Sequence, residues 1–267
     1  MNTKSEITSD DLRVSSQAND MSSLVKALRK IRSQRIERMI DLGCGYGGVT
    51  RFVADYFDIP EAYGIDMDDR RLPRAKLRGI KIINTDLSKE TLPFPDKHLG
   101  LVTCFGVLEH LVYFDNLLGE AGRVLENDGY FVVAMPNLGS YVNRIAILLG
   151  YQPRNVEIST KFSPGLLPGI KKGHIAHVHS ATLRCMKELM QCYGFHVIGV
   201  GGSSPFRVNP NGRCSGQSDS ICPQFEQTLH HCGKEVVTGW EPLPGRQLRR
   251  TRWRRNRTRC AVQSRIN

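Results

Sequence analysis

The sequence predicts an α/β domain built on a doubly wound, mostly parallel sheet, and three observations carry that prediction. Short apolar strands alternate with amphipathic helices from about residue 22 to 203, a rhythm that implies right-handed βαβ crossovers. A glycine-rich turn, DLGCGYGG (Asp41–Gly48), sits where the first strand becomes the first helix. Acidic side chains recur just after strands, the edge at which open parallel sheets bind ligands.

The elements follow in order. Residues 1–20 are polar and lack apolar periodicity, and read as a flexible arm. MSSLVKALRKIRSQ sets Leu24, Val25, Leu28 and Ile31 on one helical face. ERMIDL is a strand and GVTRFVADYF a helix; EAYGIDM is a second strand and RRLPRAKLRG a helix despite Pro73; IKIINTDL and LGLVTCFG are the third and fourth strands. FDNLLGEAGRVLENDG reads as a helix stopped by Gly129, and YFVVAMPN as the fifth strand. The rhythm breaks over residues 137–179. There a short helix, SYVNRIAILLG, leads into a Pro/Gly-rich stretch expected to form a lid over the acceptor. SATLRCMKELMQCYG is a capped helix stopped by Gly194, and FHVIGVGG a sixth strand. The domain is thus assigned to residues 21–203.

Composition narrows the class. The 267 residues are 40% hydrophobic, enough for one large domain with an appendage. Eight cysteines without a CxxC pair or paired spacing argue for a reducing, cytoplasmic setting. No apolar run approaches the ~20 residues of a membrane helix. The formal charge is +11, but residues 204–267 hold twelve Lys and Arg against four Asp and Glu, and the rest of the chain 25 against 22. The body is nearly neutral, so its charge does not point to a polyanionic substrate.

In the glycine turn, the backbone can approach a ligand closely and a helix N-terminus faces it. Gly43, Gly45 and Gly48 also satisfy GxGxxG, the dinucleotide pattern, so the turn alone leaves an NAD(P)-linked oxidoreductase open. Three carboxylates separate the readings. Asp41 precedes the first glycine, where it can hold the loop and attract the ammonium of an amino-acid-bearing cofactor; beside a pyrophosphate it would be a liability. Asp66 ends the second strand, placed to accept both ribose hydroxyls. Asp86 ends the third, where an acceptor can take an exocyclic amine of adenine.

With these motifs the chain resembles the class I S-adenosylmethionine-dependent methyltransferases. DLGCGYGG, the acid of YGIDMDD, the acid of INTDLSKETLPFPDKHLGLV, CFGVLEHL and AGRVLENDGYFVVAMPN carry the resemblance. It covers about residues 22–203 and is nearest to the small-molecule group that includes ubiquinone and menaquinone biosynthesis methylases. It implies a Rossmann-like fold, S-adenosyl-L-methionine as cofactor and a small-molecule acceptor. It places Gly43, Gly45 and Gly47, with Asp41 and Cys44, around the methionine moiety, and Asp66 with Met67 at the ribose. Asp86 and Leu87 fall near the adenine, and Cys104, Phe105 and Gly106 beneath the sulfonium.

Methyl transfer from a sulfonium is an in-line displacement governed by alignment and exclusion of water. A base is needed only where the acceptor must lose a proton. Glu109 and His110, after the fourth strand, are candidates for that base or for substrate contact; the alternative is a structural hydrogen bond that orients the loop. His174, His177 and His179 lie on the lid, and His174 is the third catalytic candidate. Their spacing, with no carboxylate or cysteine close in sequence, argues against a metal site. Tyr141 and Arg144 rank lower. The sequence sets no oligomeric state.

A sheet of this class normally ends in a seventh, antiparallel strand between the fifth and sixth. KEVVTGW is the best candidate, short and abrupt, so that strand is expected to be missing or degraded. Read one nucleotide later, the codons of HHCGKEVV allow Ile-Ile-Val-Gly-Lys-Lys-stop, a strand with a basic end. Residues 204–267, with eight arginines between Arg246 and Cys260, are therefore expected to include out-of-frame translation. The competing reading is an RNA methyltransferase whose arginine-rich tail, with Trp253 to stack on bases, binds nucleic acid. Cys214, Cys222, His230, His231 and Cys232 fit no common zinc finger. Sequencing the coding DNA checks the frame: codons at Lys234–Val237 that admit a shifted stop are the expected result, and codons that exclude one contradict it.

Overall fold

The computed structural model describes residues 21–31, 35–159, 161–168, 177–202 and 234–238. The N-terminal arm, His174 and all of the basic tail except 234–238 lie outside these residues. So do the arginine run, Trp253 and the tail's Cys/His group.

A seven-stranded sheet runs β3-β2-β1-β4-β5-β7-β6. The strands are β1 (Arg38–Leu42), β2 (Glu61–Ile65), β3 (Lys81–Ile82), β4 (Leu99–Phe105), β5 (Leu125–Pro136), β6 (Gly199–Gly202) and β7 (Lys234–Thr238). β1 to β5 pair in parallel, and β7 is antiparallel to both neighbours. The helices are α1 (Met21–Leu28), α2 (Gly48–Tyr56), α3 (Leu72–Leu77), α4 (Asp115–Val124), α5 (Tyr141–Leu148) and α6 (Leu183–Cys192). This is the doubly wound, mostly parallel sheet that the sequence predicts.

Strand periodicity sorts the central residues onto two faces. Ile40, Leu42, Val102, Cys104, Phe131 and Val133 pack with Leu117, Leu118 and Ala121 of α4 and Met186 and Met190 of α6. Met39, Leu101 and Val132 face the other way, against Leu24 and Leu28 of α1 and Val53 and Ala54 of α2. Burial on both sides explains why β1, β4 and β5 read as nearly continuous apolar runs. Each fully buried Leu or Phe here contributes about 1.5–3 kcal/mol. No helix among the described residues is long and apolar enough to cross a membrane.

Three expectations are corrected. The seventh strand is not missing: Lys234–Thr238 pairs with Val132–Pro136 of β5 and, through residues 235–238, with β6. Two open strand edges flank that slot, so a five-residue segment holding Val-Val-Thr finds ladder partners on both sides despite its shortness. The fourth helix stops at Val124, not at Gly129, because Leu125 turns extended (φ −71°, ψ 137°). Leu125 pairs with Leu99 and Tyr130 with Leu101, so Glu126–Gly129 form a bulge within β5. The third strand keeps only Lys81 and Ile82 in the ladder, since edge strands are often short.

Proline at position 236 tests the corrected strand. Val236→Pro removes a ladder donor between two strands and should lower the unfolding free energy by about 3 kcal/mol or more, read by urea denaturation. An unchanged midpoint would place residues 234–238 outside the sheet.

Candidate active site

The strand order reverses between β1 and β4, and the segments that leave the carboxyl ends of β1, β2 and β4 meet there. After β1, Gly43, Gly45 and Gly47 all have positive φ (89°, 55° and 77°), which L side chains rarely adopt. Gly43 and Cys44 donate their backbone N–H to Ile65 O of β2. A Cβ at Gly43 would collide with Val107 Cγ2, and one at Gly47 with Ile80 Cδ1, whereas one at Gly45 would meet only Asp66 Oδ2, at 4.0 Å. Two glycines thus permit close packing, while the middle one leaves its backbone beside a carboxylate.

Asp41 is 2% exposed. Thr50 Oγ1 of α2 donates to its Oδ2 at 2.5 Å and Thr103 Oγ1 of β4 to its Oδ1 at 2.7 Å. Burial pushes its carboxyl up to about 6, against the lowering effect of the two hydroxyls. This carboxylate holds the loop by joining three elements. The sequence reading missed both threonines, although Thr103 left a signal as the one polar residue inside LGLVTCF.

Asp66 follows β2 and turns back on the glycine loop. Its Oδ2 accepts from Gly45 N at 2.8 Å and its Oδ1 from Asp68 N at 2.9 Å; Arg71 lies 3.8 Å away. A carboxylate offers about four lone-pair positions, so two stay available to hydroxyl donors. Met67, 96% exposed, presents an apolar side chain beside it. Asp86 is exposed and caps its own turn. Ser88 donates to it through N (2.9 Å) and Oγ (2.6 Å), Lys89 lies 3.3 Å from it, and these bonds, Ser88 first, hold its carboxyl below the usual range. Leu87 is half-buried against the core.

Cys104 is fully enclosed and Cys44 nearly so, and burial drives both thiols well above the ordinary range. At neutral pH both stay protonated, which excludes them as nucleophiles. Phe105 packs on the face that carries α1 and α2. Gly106, at φ 70°, donates its N–H to Ala134 O and lets β4 turn away from the sheet.

That turn, Leu108–His110, is a single 3-10 turn. Glu109 is 2% exposed and His110 is exposed. Glu109 O accepts from Val178 N (2.7 Å) and His179 N (3.2 Å), so the chain returning from the lid is fastened to the turn. Through that contact the fold brings Glu109, His110 and His177 together, their donor atoms within 4.8 Å of one another. His179 contacts Val112 O instead. Asn137, Ser140 and Asn143 knit the start of α5 to the end of β5: Gly139 N donates to Asn137 Oδ1 at 2.7 Å and Asn143 Nδ2 to Asn137 O at 3.2 Å. The sequence did not single them out as a hydrogen-bonded group.

The raised Asp41 group has a defined pH signature. Its folded pKa lies above its unfolded one, so the unfolded state ionises first as pH rises through about 4 to 6. Its contribution to stability falls across that window by about 3 kcal/mol, opposite in sign to an ion-paired carboxylate. Asp41→Asn should abolish this component, seen as a wild-type-minus-variant unfolding free energy that declines from pH 4 to 6.5; a flat difference contradicts it.

Residues 40–133 match the family described as "Methyltransferase domain". Trans-aconitate 2-methyltransferase of Rhizobium rhizogenes is 30% identical over 116 residues, 41% of this chain and 43% of that protein. A probable S-adenosylmethionine-dependent methyltransferase of Mycolicibacterium smegmatis is 27% identical over 159 residues, 60% of this chain and 52% of that one. The chain therefore matches about half the length of these relatives. In fold it is similar to a crystal structure of a SAM-dependent methyltransferase from Archaeoglobus fulgidus, with TM-score 0.57, 15% identity, and coverage of 85% of this chain and 95% of that one. The matched segment is similar to a methyltransferase domain, and the sheet it builds has the fold of S-adenosylmethionine-dependent methyltransferase structures.

Proposed function

We propose that the protein transfers a methyl group from S-adenosylmethionine to a small-molecule acceptor. The observation that carries the reading is the Asp66 carboxylate, hydrogen-bonded to Gly45 N at the lip of a turn of three left-handed glycines. The cofactor class fits this cleft. The glycine turn offers backbone to a methionine moiety, Asp66 keeps acceptor capacity for ribose hydroxyls, and Asp86 with Leu87 offers a polar and an apolar contact for adenine. Asp41, its charge enclosed beneath the same loop, disfavours a pyrophosphate there. That argues against the NAD(P)-linked alternative.

When bound, the cofactor supplies an activated methyl on a sulfonium whose positive charge disappears in the transition state. The residues of this chain bind, orient and exclude water. The enclosed, protonated thiol of Cys104 offers no competing nucleophile. Glu109 and His110, on the turn beside the glycine loop, are placed to accept an acceptor proton or to hold the acceptor. His174 keeps its proposed role on the lid by sequence position alone. A small acceptor accords with the nearly neutral body of the chain and with the named activity of the trans-aconitate relative. The RNA-methyltransferase alternative draws only on the arginine run.

Calorimetry separates the cofactor classes. S-adenosylhomocysteine should bind saturably and NAD should not; the reverse overturns the reading. Asp66→Ala should weaken S-adenosylhomocysteine about tenfold to a hundredfold, the effect of losing hydrogen bonds to a charged acceptor. Unchanged affinity would remove Asp66 from the site.

A further inference from the structure

Glu109, His110 and His177 form a cluster that methyl transfer does not by itself require. Their donor atoms, one carboxylate oxygen and one imidazole nitrogen each, lie within 4.8 Å of one another. Ligands about 2.1 Å from a single ion stand about 3.4 Å apart in a tetrahedral arrangement and about 3.0 Å apart at adjacent octahedral positions. Small rotations of these side chains therefore close a shell. The frame beneath is fixed: His110 N donates to Val107 O at 2.9 Å, and Glu109 O holds Val178 N and His179 N. The two imidazole rings lie with centroids 5.1 Å apart and planes tilted by 41°.

A fourth residue supplies what metal-binding histidines usually have, a carboxylate behind the ring. Glu157 Oε2 lies 3.3 Å from His177 Nδ1, and the two side chains are only 11% and 8% exposed. The same carboxylate accepts His177 N at 3.2 Å. With Nδ1 beside Glu157, Nε2 is the nitrogen left to ligate an ion. Burial of both partners makes this orientation hard to give up.

We propose that Glu109, His110 and His177 bind a divalent transition-metal ion of the zinc class, with Glu157 as the positioning residue of His177. Two imidazoles and one carboxylate suit zinc, cobalt or iron rather than magnesium or calcium, which prefer oxygen. Three protein ligands leave coordination positions open, as in catalytic rather than structural sites. Val107, two residues before Glu109, packs on Gly43 of the glycine turn, so the ion stands at the mouth of the same cleft. If the methyl-transfer reading holds, on which this clause rests, the open positions take an oxygen of the acceptor. The substrate class is then an acceptor with a metal-binding hydroxyl or carboxylate.

Cobalt(II) titration of the chelator-treated full chain tests the site without any turnover. Wild type should give saturable visible absorption of one low-symmetry, nitrogen- and oxygen-ligated ion per chain. His110→Ala and His177→Ala should each weaken it about tenfold or more, and Glu157→Gln about tenfold. S-adenosylhomocysteine calorimetry on the same variants reports the fold and the cofactor pocket separately, so failure of the methyl-transfer reading and failure of the metal site are distinguishable. The absence of saturable binding in wild type overturns the proposal. So does binding that survives both histidine substitutions, including the sulfur-to-cobalt absorption expected if the tail cysteines hold the ion.

Discussion

Asp41 ends β1 with one oxygen on the hydroxyl of Thr50 in α2 and the other on that of Thr103 in β4. This enclosed carboxylate thus ties β1, α2 and β4 together. Burying it is unfavourable, as its raised pKa records, and the two hydroxyls offset part of that cost. The glycine turn begins at the next residue but one. With its root clamped, Gly43, Gly45 and Gly47 hold left-handed conformations that an unanchored loop would sample only in passing.

From that anchor the two sides of the cleft follow. Gly45 presents its N–H to Asp66 and fixes the carboxylate at the rim of β2. Gly43 lets Val107 pack against it, which sets the Leu108–His110 turn at a constant distance from the loop. The backbone of Glu109 then fastens the returning segment at Val178 and His179. The proposed cofactor side is thus built from turns after β1, β2 and β3, and the proposed acceptor side from the β4 turn and a segment distant in sequence. One fold can keep the first constant while varying the second.

This division also explains what was legible in the sequence. β1, β4 and β5 announce themselves because burial on both faces demands unbroken apolar runs, and DLGCGYGG because left-handed backbone demands glycine. Asp66 is readable because it directly follows a strand at the edge where such sheets bind ligands. The Glu109, His110 and His177 cluster was not readable: His177 joins it only through the fastening of residues 178–179 to the β4 turn, which no spacing encodes. Glu157 enters the same way, which is why the histidines looked devoid of a nearby carboxylate. The α4–β5 boundary was misplaced because ENDG has the composition of a helix stop and also of a bulge. β7 looked degraded because five residues between two ready edges need little intrinsic strand signal.

In the proposed function, the glycine turn and Asp66 together hold S-adenosylmethionine. A crystal structure with S-adenosylhomocysteine tests this most directly. The ligand should lie across the carboxyl ends of β1, β2 and β4, with both ribose hydroxyls donating to Asp66 and the sulfur facing the turn that carries Glu109. Density elsewhere, or a ribose that leaves Asp66 untouched, would contradict it.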